Sequence, residues 1–114
     1  MLGGDPEVGC MDNFIYRIDR PGTGPLRAAT RHDHLDFATS LGRWLKYAGP
    51  TLATDEKTMI GSVWVLQADS LEDADRLTAL DPYKKIGLFA SKIIHPILQV
   101  VLSDMETRPE DAQG

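Results

Sequence analysis

The spacing of apolar residues changes several times along this chain, and each change predicts an element. "NFIYRID" (13–19) alternates and is rich in strand formers, which predicts a first strand. "RPGTGP" (20–25) reads as a loop. From about Ala28 to Ala48 the apolar positions recur at helical spacing, with Thr30 as a candidate cap and Gly49-Pro50 as the stop. On that helix His34, Phe37, Ala38, Leu41, Trp44, Leu45 and Ala48 share one face. His32, Asp36, Arg43 and Lys46 fall on the other.

"TLAT" (51–54) is a short extended piece, and the polar turn "DEKT" follows it. "MIGSVWVLQAD" (59–69) is the clearest strand. Its faces read Ile60, Ser62, Trp64, Leu66 and Met59, Gly61, Val63, Val65, so both are largely apolar and both need cover. Ser70 is an N-cap candidate for a second helix, "LEDADRLTAL", which aligns Leu71, Ala74, Leu77 and Leu80. Asp81-Pro82 ends that helix, because a residue before proline avoids helical angles. "YKKIGLFASKI" reads as irregular or a single turn, and "PILQVVLS" (96–103) as the last strand.

The order is strand, helix, strand or extended piece, strand, helix, strand. It predicts an α+β fold: a ferredoxin-like βαββαβ antiparallel sheet with two helices on one face. The domain is expected over residues 12–103, after a flexible N-terminal extension (1–11) and before a polar, disordered tail (104–114). Met11 is a candidate alternative start. Two helices cover only one sheet face, and Leu98, Val100 and Leu102 add to the apolar character of the other. A second copy packed face to face, a homodimer forming a dimeric α+β barrel, is the expected solution.

Charge and composition narrow the function. A net charge of −5 with no Lys/Arg cluster offers no electrostatic hold on nucleic acid or an anionic membrane, so neither is an expected partner. Cys10 is the only cysteine, which excludes an intramolecular disulfide and a thiolate metal cluster and fits a cytoplasmic setting. The start "MLGGDPEVGC" has neither the basic nor the apolar part of a signal peptide. No apolar run approaches the roughly 20 residues that cross a bilayer. The Gly-Thr-Gly of 22–24 lacks the residues that would make it a phosphate loop.

Chemistry is sought first in "RHDHLDF" (31–37), which holds two of the three histidines. An i, i+2 pair on a helix diverges, so His32 and His34 are not joint ligands and no metal site is expected. His32 points to solvent. His34 sits at the N-terminal end of the apolar face, either as a half-buried histidine bonded to some acceptor or as a poised acid–base group. Such a histidine needs an orienting carboxylate, and Asp81 is the candidate, although Asp-Pro is also a common helix terminator. Arg31, three residues before His34, is placed to hold an anionic substrate group or to form a surface ion pair. Ser62 offers a hydrogen bond to substrate or to backbone, and Tyr83 a hydroxyl or simple packing. Phe37 and Trp44 read as core or pocket wall. His95, in "IIHPIL", reads as structural or surface.

"RHDHL", "AGP", "SLEDADRLTALDPY" and "GLF…HPILQV" together resemble the YCII-related (YciI-like) family, over about Phe14 to Val101. The resemblance implies a ferredoxin-like dimeric α+β barrel. It also implies a His–Asp catalytic pair, which falls on His34 of Arg-x-x-His-Leu and on Asp81 of Asp-Pro-Tyr. Cofactor-free proton-transfer chemistry, such as elimination on small cyclic compounds, follows from the same resemblance. The chain departs from the family in its N-terminal residues and in a polar loop after Gly49-Pro50 that lacks the frequent Gly-rich insert. Two functions therefore stand: a small cofactor-independent lyase-like enzyme with His34 and Asp81 as its acid–base pair, or a non-catalytic dimeric module for a small-molecule or protein partner.

Overall fold

A computed structural model of the chain describes residues 10–101. The expected extension (1–9 of it) and tail lie outside the described residues. The elements are β1 (Met11–Asp19), α1 (Gly24–Ser40), a 3-10 turn (Gly42–Trp44), β2 (Leu45–Leu52), β3 (Met59–Ala68), α2 (Leu71–Thr78), α3 (Pro82–Lys85) and β4 (Phe89–Ile97). The strands form one antiparallel sheet in the order β2-β3-β1-β4. This is the ferredoxin-like α+β arrangement, with the helices on one face.

Helix α1 starts earlier and stops sooner than its apolar spacing predicts. Pro25 sits in the first turn, where proline's missing N–H costs nothing. Gly42 then takes a positive φ of 59° that ends the helical path. Trp44 falls in the 3-10 turn, while Leu45 and Ala48 lie in β2. Gly49-Pro50 is inside that strand rather than after a helix. Edge position makes this tolerable, because a proline there need not donate to the ladder. Pairing along β3, from Leu45↔Leu66 to Leu52↔Met59, outweighs the helical periodicity of 41–48.

The last strand is also earlier than expected. β4 runs over Phe89–Ile97: residues 89–93 lie in the segment read as irregular, 96–97 overlap the expected strand, and residues 98–101 carry no strand. Its polar Ser91, Lys92 and His95 hid it, yet an exposed edge strand needs no continuous apolar run. Leu98 and Val100 therefore lie beyond the sheet, and Leu102 lies outside the described residues. Leu80 follows α2 and is exposed rather than packed. Asp81 is less the end of α2 than the N-cap of α3, accepting the Tyr83 backbone N–H. Ser70 caps α2 as predicted, through the Asp73 N–H.

The core lies between the sheet and the helices. Ile15, Trp64, Leu66 and Ala68 rise from the strands to meet Leu41, Ala74 and Leu77. On β1 this inward row is Asn13, Ile15 and Arg17, all buried. The more apolar row, Phe14, Tyr16 and Ile18, points the other way, beside Val63 and Val65 of β3.

Gly61 marks a tight point on that second face. A Cβ there would stand 2.5 Å from the Arg17 backbone oxygen and 2.6 Å from Thr51 Oγ1. Gly61→Ala is expected to destabilise the fold by about 1–3 kcal/mol, the usual cost of overpacking. Denaturant unfolding checks this, and an unchanged midpoint would refute the close approach.

Candidate functional site

Three elements converge on His34. Helix α1 carries it on its buried side, 8% exposed, with Arg27 two turns earlier on that side. The β-extended backbone of Asp81, forced by Pro82, turns its carboxylate under the ring. His34 Nδ1 lies 2.8 Å from Asp81 Oδ1 and 3.1 Å from Oδ2. Tyr83, the second residue of α3, stacks on the imidazole at 3.9 Å between ring centroids and 13° between planes. Trp64 of β3 flanks it at 5.9 Å.

Asp81 is completely buried and accepts from three donors. Arg17 Nη2 donates to Oδ2 at 2.9 Å, the Tyr83 backbone N–H donates to Oδ1 at 3.0 Å, and His34 Nδ1 is the third. Burial pushes the carboxyl's pKa up. The His34 hydrogen bond, the charges of Arg17 and His34, and the Tyr83 N–H together hold it below the usual carboxylate range. An ionised carboxylate only accepts, so Nδ1 carries the proton of this bond and Nε2 is the ring nitrogen away from Asp81.

The cavity beside this ring is about 220 Å³, lined by Arg27, Arg31, His34, Ala48, Pro50, Ser62, Trp64 and Tyr83 among others. Arg31 stands at its exposed rim. Ser62 Oγ is buried with no hydrogen-bond partner among the described residues. The Tyr83 phenol is pushed up in pKa by burial, against the opposing charges of Arg27 and Arg31. Arg27 is already balanced: it donates to both Asp19 carboxylate oxygens, at 2.8 and 3.1 Å, and to the Gly61 carbonyl at 2.8 Å.

The structure thus brings Arg31, His34, Ser62, Asp81 and Tyr83 to one place. It leaves His32 outside, exposed and 3.4 Å from Asp36 one turn along the helix. His95 is exposed on β4, paired with Phe14 on the opposite sheet face. Trp44 lines a second, larger groove of about 680 Å³ at the far end of β3, with Ala68, Leu77 and Leu80. Of its charged residues, Asp73 and Arg76 pair with each other, and Asp69 accepts from Cys10 Sγ at 3.2 Å. Arg17 and Arg27 were not singled out from sequence. The available signal was parity: Arg17 shares the inward row of β1 with Ile15.

Fold and site together define a small ferredoxin-like domain that carries a buried His–Asp–Arg cluster beneath a ring-sized cavity. The chain belongs to the YCII-related domain family, whose profile matches residues 11–98. It is 32% identical over 93 residues to an uncharacterised protein of Haemophilus influenzae, covering 75% of this chain and 95% of that one. Among solved structures it is similar to 5-chloro-2-hydroxyhydroquinone dehydrochlorinase (TftG) of Burkholderia phenoliruptrix AC1100, in complex with 2,5-dihydroxybenzoquinone. That match has 36% identity, a TM-score of 0.68, and coverage of 75% of this chain and 91% of the other. A NIPSNAP family protein of Agrobacterium tumefaciens shares the fold alone, at 15% identity and a TM-score of 0.54, over 84% of this chain and 98% of that one. Among the described residues no helix is long and apolar enough to cross a membrane.

Proposed function

We propose that this chain is a cofactor-independent lyase that removes HX from a small hydroxylated ring compound. The observation that carries the reading is the His34 ring: Nδ1 is tied to a buried, ionised Asp81, and Nε2 is left for the cavity. In this reading Nε2 takes a proton from the substrate while X leaves with the electrons of the C–X bond. The electron pair released by the lost proton forms the new double bond, so no electrons are gained or lost overall. The imidazolium then returns its proton to solvent. Asp81 stabilises the ring in both states without itself being protonated.

Substrate contacts are assigned to three residues. Arg31 attracts a phenolate or other anionic substituent at the rim. Ser62 Oγ, buried and without a hydrogen-bond partner among the described residues, takes a hydroxyl or carbonyl of the ring. Tyr83 holds the imidazole plane by stacking and offers its hydroxyl to the cavity. The cavity is smaller than the about 300–1,000 Å³ of drug-sized sites, which suits one substituted ring. The dehydrochlorinase similarity supports a halogenated hydroxyhydroquinone as the first substrate to try. The test is chloride release from 5-chloro-2-hydroxyhydroquinone by the purified protein. Saturable binding of 2,5-dihydroxybenzoquinone with no chloride release would favour the binding-module reading instead.

The proposed assembly is a homodimer closed by the outer sheet face. Phe14, Tyr16, Val63, Val65 and Ile93 share that face by register, and among the described residues no helix covers it. Obligate interfaces of this kind bury upward of roughly 2,000 Å². Sedimentation at micromolar concentration is expected to give a dimer for the wild type and a monomer for Val65→Asp. A monomeric wild type would contradict the proposal.

A further inference from the structure

Arg17 stands at the middle of β1 with its side chain 2% exposed, deeper than any charged group in an ordinary surface pair. Its guanidinium lies between two aromatic rings, 4.6 Å from the Trp64 centroid and 4.4 Å from that of Phe89. Among the described residues it has one ion-pair partner, Asp81. Nε and Nη1 are buried and meet no acceptor among the described residues. A methionine or leucine would fill the slot between the rings at lower desolvation cost, because buried ion pairs are commonly no more stable than apolar replacements. A charge kept in this place therefore asks for an explanation beyond packing.

The explanation lies in how the Asp81 carboxylate is shared. Oδ2 serves Arg17, while Oδ1 serves His34 and the Tyr83 N–H. Were His34 the only cation beside it, the buried carboxylate would hold the ring proton, since losing that proton would leave an unpaired buried anion. With Arg17 present, Asp81 is balanced in both states of the ring. We propose that Arg17 is a positioning residue that neutralises Asp81 and so keeps His34 in its neutral, Nδ1-protonated form, with the Nε2 lone pair facing the cavity. The site is then a resident base rather than a resident imidazolium. Other charged or titratable groups near the ring leave this role to Arg17. Arg27 is neutralised by Asp19, Arg31 is exposed at the rim, and Tyr83 stacks as an uncharged phenol. Trp64 and Ser62 of β3 carry no charge.

The use of that base rests on the proposed function, but its state is read without any substrate. His34 ring resonances are titrated by NMR in the full-length wild type and in Arg17→Met, Arg17→Gln and Arg17→Lys. Loss of the neighbouring positive charge is expected to raise the His34 midpoint by about one pH unit or more in the methionine variant. The glutamine variant keeps a donor to Asp81 without charge and moves the same way, so it answers the question if the methionine variant does not fold. Lysine restores the charge and returns the midpoint toward wild type. An unchanged midpoint in the neutral variants, or an equal rise in the lysine variant, would overturn the proposal. Failure of the lyase reading is separate: it would appear as absent turnover with these NMR shifts intact.

Discussion

Asp81→Asn is expected to destabilise the protein by about 3–5 kcal/mol, the cost of breaking a buried ion pair from one side. An amide has one acceptor oxygen, yet donors reach position 81 from two sides. If that oxygen faces Tyr83 N–H and His34, the NH₂ group confronts Arg17 Nη2. If it faces Arg17, the NH₂ group confronts the Tyr83 N–H and demands a bare Nδ1 on His34, the wrong tautomer for the cavity. Neither orientation satisfies all three donors. Urea unfolding of both proteins measures the loss, and a change below about 1 kcal/mol would contradict the shared-carboxylate geometry.

The same pair gives the expected pH dependence. Asp81 has its folded pKa below the unfolded value of about 3.9. Its contribution is complete above that unfolded value, where both states are ionised. As pH falls, the unfolded chain takes the proton first, so stability declines from about pH 4 downward and the contribution is gone below the folded pKa. Asp81→Asn lacks this component and should show a flatter acid limb.

His34→Ala is expected to lower turnover of a chlorinated hydroxyhydroquinone by about 10²–10⁴, the usual worth of a positioned general base. His32→Ala, two residues away but on the solvent side, is expected to leave it nearly unchanged. The contrast matters because both residues lie in "RHDHL" and differ only in helical phase. Chloride release by the two variants under identical conditions checks it. Equal losses would mean that the effect comes from the helix rather than from the ring in the cavity.

Helical phase alone separated His34 from His32, and it did so despite a wrong helix boundary, because residues 34–41 stay in the helix or at its cap. Phase failed after Gly42, where "LKYAGPTL" keeps an apolar spacing compatible with either element and strand pairing decides. β4 was illegible for a different reason. As an edge strand it exposes Ser91, Lys92 and His95, so its sequence resembles a loop. Asp81 was legible through its proline, whose backbone restriction is local. Arg17 was not, because its partner is 64 residues away and an arginine in a strand ordinarily points to water. Parity puts Arg17 and Ile15 on one row, but the sheet register, with Arg17 paired to Ser62 and Lys92, is needed to show that this row is the inner one.

The central claim is that Asp81 fixes the His34 proton on Nδ1 and leaves Nε2 bare toward the cavity. Two-bond ¹H–¹⁵N correlation of the histidine side chains, recorded above the His34 titration, observes this directly. The account predicts a protonated, pyrrole-type Nδ1 and an unprotonated, pyridine-type Nε2 for His34. A protonated Nε2, or an averaged mixture of the two tautomers, would contradict it.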